Sequence, residues 1–122
     1  MGLSIEELSQ KLYSFIETTV FTRSLDELAS VDVLVEIQND LLKKPDRWPI
    51  IPGTGGARKG RVGDVKRGRG KRGSFRYLYL YLEHEERIYL LFLFGKNEQD
   101  NLSPEQKKVV ARLVEQIKEA IL

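Results

Sequence analysis

Residues 75–94 read FRYLYLYLEHEERIYLLFLF, and this stretch decides the fold. Apolar and aromatic side chains fill nearly every position on either side of the charged run Glu83–Arg87. Successive side chains of a strand point to opposite faces, so Leu78, Leu80 and Leu82 share one face. Phe75, Tyr77, Tyr79 and Tyr81 share the other. Two extended segments, Phe75–Leu82 and Ile88–Phe94, joined by a short charged turn predict a hairpin. Strands that are apolar on both faces sit centrally, covered above and below. The tyrosines are therefore expected in the core. Arg76 lies on the leucine face at the strand's beginning, where it can emerge at the rim.

Working outward, Gly95–Leu102 reads as a loop. Ser103, Pro104 and Gln106 then supply an N-cap, a first-turn proline and a capping-box partner. Val109, Val110, Leu113, Val114, Ile117 and Ile121 form the apolar stripe of the helix that follows. Upstream, Ala57–Val62 reads as a third strand, weakened in its middle by Gly60. In that strand Lys59 and Arg61 point together and Arg58 points away. Gly63–Gly73 is a polar, glycine-spaced loop. Asp46–Gly56, with Pro49, Pro52 and glycines at 53, 55 and 56, is a turn-rich crossing. The N-terminal part predicts a short helix over residues 4–12, where Ser4 and Glu7 fit a capping box. Phe15–Phe21 is rich in β-branched and aromatic residues and predicts a strand. A helical segment opens at Ser24, and a longer helix runs from Ser30 until Pro45 stops it. The pattern predicts an α+β fold: a small twisted antiparallel sheet flanked by N-terminal helices and a C-terminal helix. Residues 1–13 read as an N-terminal helical extension and residues 14–122 as the domain.

Charge is distributed very unevenly. Residues 1–50 carry five bases against nine acids, and residues 77–122 carry six against eight. Residues 51–76 carry nine bases against one acid, Asp64, within a chain whose formal net charge is only +2. Base density of this kind is the footprint of a surface that grips phosphates. A solvated basic loop without a dedicated partner is the plain alternative.

Several function classes drop out. Cysteine is absent, which excludes a disulfide framework, a thiolate zinc site and a cysteine nucleophile, and suits a reducing cytoplasm. With one histidine, His84, no two-histidine metal site can be assembled, and its place in the charged turn predicts an exposed bystander. Gly68–Gly73 matches GxGxxG literally but precedes a strand, whereas the dinucleotide fingerprint follows a strand and opens a helix. Gly53–Gly56 lacks the Gly-Lys-Ser/Thr ending of a phosphate loop. The start of the chain shows no secretory leader pattern, and the apolar runs Tyr77–Leu82 and Ile88–Phe94 are too short to cross a bilayer. A soluble protein without membrane attachment is expected.

What remains is a site built from arginine, lysine and backbone amides, which can still act on phosphate. In metal-free RNA cleavage the adjacent 2′-hydroxyl attacks the scissile phosphorus. The protein must hold that hydroxyl in line, neutralise the equatorial oxygens and assist the leaving 5′-oxygen. Arginine's planar fork suits the second task. A lysine crowded by other cations gives up its proton more readily and suits the first. This route calls for no cofactor and no metal.

Several segments together resemble one family. Phe15–Phe21 looks like its opening strand, and Ile51–Lys59 (IPGTGGARK) looks like its signature loop. Gly70-Lys71-Arg72-Gly73 with Arg76 resembles its next block. Phe94-Gly95-Lys96-Asn97-Glu98 followed by Leu102–Lys107 resembles its closing block. The chain is similar, over about residues 14–120, to the HigB-like branch of the RelE/ParE toxins of bacterial type II toxin–antitoxin systems. The resemblance implies a RelE-like domain over residues 14–122. It implies a cytoplasmic, ribosome-dependent mRNA endonuclease (an mRNA interferase) that cuts messenger in the A site. Its implied partners are the ribosome, mRNA and a cognate helix-turn-helix antitoxin, with promoter DNA met only through that antitoxin. Matched by position, the catalytic bases are Lys59, Arg61 and Arg76, and the RNA-binding bases are Arg58, Arg69, Lys71, Arg72 and Lys96. Two other readings stay open: a non-enzymatic inhibitor of DNA gyrase, as ParE-like relatives are, and a nucleic-acid-binding module without catalysis.

Overall fold

Seven elements follow one another in the computed structural model: β1 (Ser14–Glu17), α1 (Thr19–Leu28), α2 (Val31–Lys43), β2 (Arg58–Val62), β3 (Phe75–Leu82), β4 (Arg87–Gly95) and α3 (Pro104–Ile121). The residues it describes are 13–63, 75–95 and 101–121. The helix expected over residues 4–12 therefore lies outside the described residues, as does most of the basic loop. The strands form one sheet in the order β1-β4-β3-β2, so the hairpin strands β3 and β4 are central. The α+β expectation holds. The sheet, however, is mixed rather than purely antiparallel, because β1 joins the edge of β4 in parallel. Helices α1 and α2 carry the chain from that edge across one face to β2 at the other.

Each face of the sheet is covered by helices, as the two-sided apolar pattern of β3 requires. Phe21 and Leu25 of α1 and Val33, Ile37 and Leu41 of α2 pack on Tyr77, Tyr79, Ile88 and Leu90. Val110 and Val114 of α3 pack on Leu78, Leu80, Leu91 and Ala57 on the opposite face. Ser103 and Gln106 close both bonds of the expected capping box, at 2.8 and 3.1 Å. No described helix is long and apolar enough to cross a membrane.

The strand expected over Phe15–Phe21 ends at Glu17, and the segment expected to start at Ser24 lies inside one helix that begins at Thr19. The cause is Thr18. Its hydroxyl accepts from the Phe21 amide at 3.0 Å, capping the helix, and donates to the Leu91 carbonyl at 2.7 Å. Leu91 is the extra residue of a bulge, since Leu78 faces Phe92 while Tyr79 faces Leu90. A tertiary partner on β4 thus overrides the β-propensity of Thr18-Thr19-Val20-Phe21. Tyr13, the last residue of the segment read as an extension, packs against the sheet: its hydroxyl lies 3.0 Å from that of Tyr81 and their rings meet edge to face.

Tyr77 and Tyr79 are fully buried, as their alternation predicted. Burial raises the pKa of both hydroxyls, that of Tyr79 to about 12. An unfolded tyrosine ionises near pH 10, so above that pH the unfolded chain sheds protons that the folded chain keeps. Stability is therefore intact below about pH 10 and drops by about 2–3 kcal/mol for Tyr79 as pH climbs from there to about 12. Urea midpoints should be flat from pH 7 to 9 and fall steeply beyond 10, and Tyr79→Phe should make that fall shallower.

Candidate nucleic-acid interface

The register of the sheet assembles the site. Arg61 of β2 stands directly opposite Arg76 of β3, and Lys59 stands opposite Leu78. Across the next ladder Arg76 meets Phe94 and Leu78 meets Phe92. Leu78, Phe92 and Phe94 belong to the cluster under α3, so strand alternation puts Lys59, Arg61 and Arg76 on that same face. Two rows result, each running from cation to aromatic: Arg61, Arg76, Phe94 and Lys59, Leu78, Phe92. Arg61 is exposed and Lys59 half-buried, while Arg76 is only 4% exposed and forms the floor between them. Its Nη1 donates to the Phe75 carbonyl at 3.4 Å.

Like charges directly opposite on paired strands, with Cβ atoms about 5 Å apart, destabilise a sheet. An anion between the two guanidinium groups turns the repulsion into attraction, and two planar forks from opposite sides suit the oxygens of a phosphodiester.

Arg58 is not part of this cluster. It points to the other face, where its Nη1 donates to the carbonyls of Trp48 (2.6 Å) and Asp46 (3.1 Å). Tyr79 donates to the Pro45 carbonyl at 2.6 Å, and Asp40 accepts from Trp48 Nε1 at 3.1 Å and from Arg47. Together these bonds fasten the loop after α2. Arg58→Ala should lower stability by about 1–3 kcal/mol, the range for charge-assisted bonds, with oligonucleotide affinity per folded molecule unchanged. Thermal melts beside binding titrations check this. Arg69, Lys71, Arg72 and Lys96 lie outside the described residues.

The glycine-rich loop is structural in the described residues. Gly53, Gly55 and Gly56 have φ of +82°, +78° and +122°, conformations that other residues rarely adopt. Thr54 is buried in the turn they make, donating to the Ile51 carbonyl (2.7 Å) and accepting from the Ala57 amide (3.1 Å). Lys118 of α3 donates to the Gly55 carbonyl at 2.7 Å, tying the helix to the loop. The Ile51 amide donates to the Ala57 carbonyl at 2.8 Å and the Lys59 amide to the Pro49 carbonyl at 3.3 Å, so residues 49–51 cover the free edge of β2. The loop therefore sets where Lys59 and Arg61 begin. His84 is exposed in the 83–86 turn, far along β3 from Arg76.

Sequence reasoning missed what Gly60 packs against and a second pair of bases. Gly60 sits under the ring of Tyr77: a Cβ there would lie 2.4 Å from Tyr77 Cζ. The ring supplies the packing that glycine lacks, which is why the strand holds. Lys108 and Arg112, one turn apart on α3, border a groove with Val20, Phe92 and Val109 and add positive charge on the α3 side. Their four-residue spacing was the available signal.

Comparison with known proteins covers this same part of the chain. The family model for the RelE toxin of the RelE/RelB toxin–antitoxin system matches residues 53–121. Among solved structures, the archaeal RelE–RelB complex from Pyrococcus horikoshii OT3 aligns with 17% sequence identity and a TM-score of 0.49, covering 71% of this chain and 98% of that one. The family match spans more than half of the chain, taking in β2, β3, β4 and α3, and so the chain belongs to the RelE toxin family.

Proposed function

We propose that the protein is a ribosome-dependent mRNA endonuclease and that the face formed by Lys59, Arg61 and Arg76 is where it cuts. The opposition of Arg61 and Arg76 across the β2–β3 ladder carries the reading. Lys59 takes the proton of the 2′-hydroxyl, whose oxygen attacks the neighbouring phosphorus. The bond from phosphorus to the 5′-oxygen breaks as that oxygen takes a proton from the Lys59 ammonium, leaving a 2′,3′-cyclic phosphate on one fragment and a 5′-hydroxyl on the other. Arg61 and Arg76 hold the non-bridging oxygens as negative charge builds on them, the kind of preorganised stabilisation that dominates such reactions. DNA lacks the nucleophile and is spared. Within the family we place the chain in the HigB-like branch, acting in the cytoplasm at the ribosomal A site. A helix-turn-helix antitoxin restrains it and carries it to promoter DNA. Residues 14–122 are the toxin domain, and residues 1–13 precede it.

The test is a translating extract to which the purified protein is added. The expected result is messenger cut within codons, with cyclic-phosphate ends and no cut at a position carrying a 2′-deoxy sugar. Intact messenger at high protein concentration removes this reading, and unperturbed translation together with failed DNA supercoiling selects gyrase inhibition instead.

A further inference from the structure

Helix α2 buries Val33, Ile37 and Leu41, yet it carries a second apolar line that faces away from the core. Val31, Val35 and Leu42 are 64%, 46% and 48% exposed, and Leu28, just before them at the end of α1, is 39% exposed. Spacings of four and seven residues bring the three α2 side chains to one side of a helix with about 3.6 residues per turn. A surface helix ordinarily backs its buried stripe with polar residues. An extra apolar line on the outside marks a surface that another chain covers. We propose that a second copy of this chain covers it, the two α2 helices packing antiparallel about a two-fold axis.

Charge chooses both the occupant and its direction. Asp32 in the first turn of α2, Glu36 one turn on and Lys43 in the last turn flank the apolar line on the same side. A two-fold axis perpendicular to the helices keeps these flanks together on one side of the interface and reverses their direction. Val31 then meets Leu42 of the second copy, and Asp32 comes beside Lys43 of the second copy, twice over. Parallel packing would set the flanks on opposite sides and bring like ends together. The chain's own residues 1–12 are the other candidate cover, since Tyr13 packs in the same cluster as Ala29 and Leu34. Their charged residues are Glu6, Glu7 and Lys11, a net acid set against Asp32 and Glu36. A second copy brings the complementary sign to that end. Helices α1 and α2 lie on the face of the sheet opposite α3, so the pair leaves Lys59, Arg61 and Arg76 open on both copies. Four exposed apolar residues per copy make an interface smaller than the standard size of about 1,600 Å², so the dimer forms in the micromolar range.

The test is sedimentation velocity on the full-length protein from low to high micromolar concentration, beside thermal melts at the low end. The mass should rise from one chain to two. Val35→Glu, which sets a charge in the middle of the line at an exposed position, should hold the protein monomeric with its melt unchanged. Asp32→Lys and Lys43→Asp should each weaken the dimer roughly tenfold, because each turns two attractive pairs into repulsive ones. The double variant, Asp32→Lys with Lys43→Asp, should restore it, a rescue that only the antiparallel α2 pair gives. A monomer at every concentration overturns the proposal, as does a dimer that Val35→Glu or the charge reversals leave intact. A monomer whose melting temperature falls with Val35→Glu assigns the line to residues 1–12 and overturns it too. So does a Val35→Glu variant that associates as the wild type does but loses a protein inhibitor, which assigns the line to that inhibitor. None of these outcomes depends on the RNA-cleavage reading of the opposite face.

Discussion

Arg61→Ala should slow message cleavage on translating ribosomes by about 10²–10³-fold, the usual loss when one preorganised charge-stabilising donor is removed. It should do so with no loss of stability. Arg61 is exposed, and its removal relieves the repulsion with Arg76, so the melting temperature should hold or rise slightly, a gain of about 0.2–1 kcal/mol. Arg61→Lys should recover part of the rate, since an ammonium keeps the charge but loses the planar fork. Arg76→Ala should cut the rate by a similar factor. Arg76 is buried, so its stability must be measured separately. Single-turnover cleavage run beside thermal melts checks the whole set.

Gly60→Val should be the most damaging single change to the fold outside the large core side chains. Even the first added atom would lie 2.4 Å from Tyr77 Cζ and 2.7 Å from its hydroxyl. The Tyr77 ring is fully buried, packed in the cluster that includes the helices of its face. Overpacking of this kind costs about 1–3 kcal/mol, and valine's extra methyls press toward the top of that range. The cost comes from contact rather than conformation, because Gly60 is not among the residues with positive φ. Shrinking the neighbour should therefore help: Gly60→Val with Tyr77→Leu should be more stable than the sum of the two single losses, by about 0.5–3 kcal/mol. Urea titrations of the four proteins complete the cycle. Strict additivity would mean that the ring and the glycine do not support one another.

What could be read from the chain follows from the range of each interaction. The hairpin was legible because period-two alternation on both faces of Phe75–Leu82 leaves a strand only one place, at the centre of a sheet. The last helix was legible because its capping box is satisfied between neighbours, Ser103 and Gln106. Residues 18–21 misled for the opposite reason. Their local preference is extended, and the helix start depends on the Leu91 carbonyl, which no local pattern reveals. The parallel join of β1 to β4 is hidden in the same way, since the pairing of Ser14 with Arg87 spans most of the chain. In the candidate site, alternation alone separated Lys59 and Arg61 from Arg58. The loop carbonyls that Arg58 serves could not be foreseen, since Asp46 and Trp48 lie 12 and 10 residues upstream. The opposition of Arg61 and Arg76 needed the β2–β3 register, which no turn residue near Gly63 specifies.

The central claim is that activity belongs to one side of β2, so it should follow the alternation of that strand. The direct measurement is the single-turnover rate of message cleavage on translating ribosomes by Arg58→Ala, Lys59→Ala and Arg61→Ala, each normalised to its folded fraction. The account predicts near wild-type cutting from Arg58→Ala and losses of about 10²-fold or more from the other two. Equal losses from all three, or a normal rate from Lys59→Ala and Arg61→Ala, would contradict it.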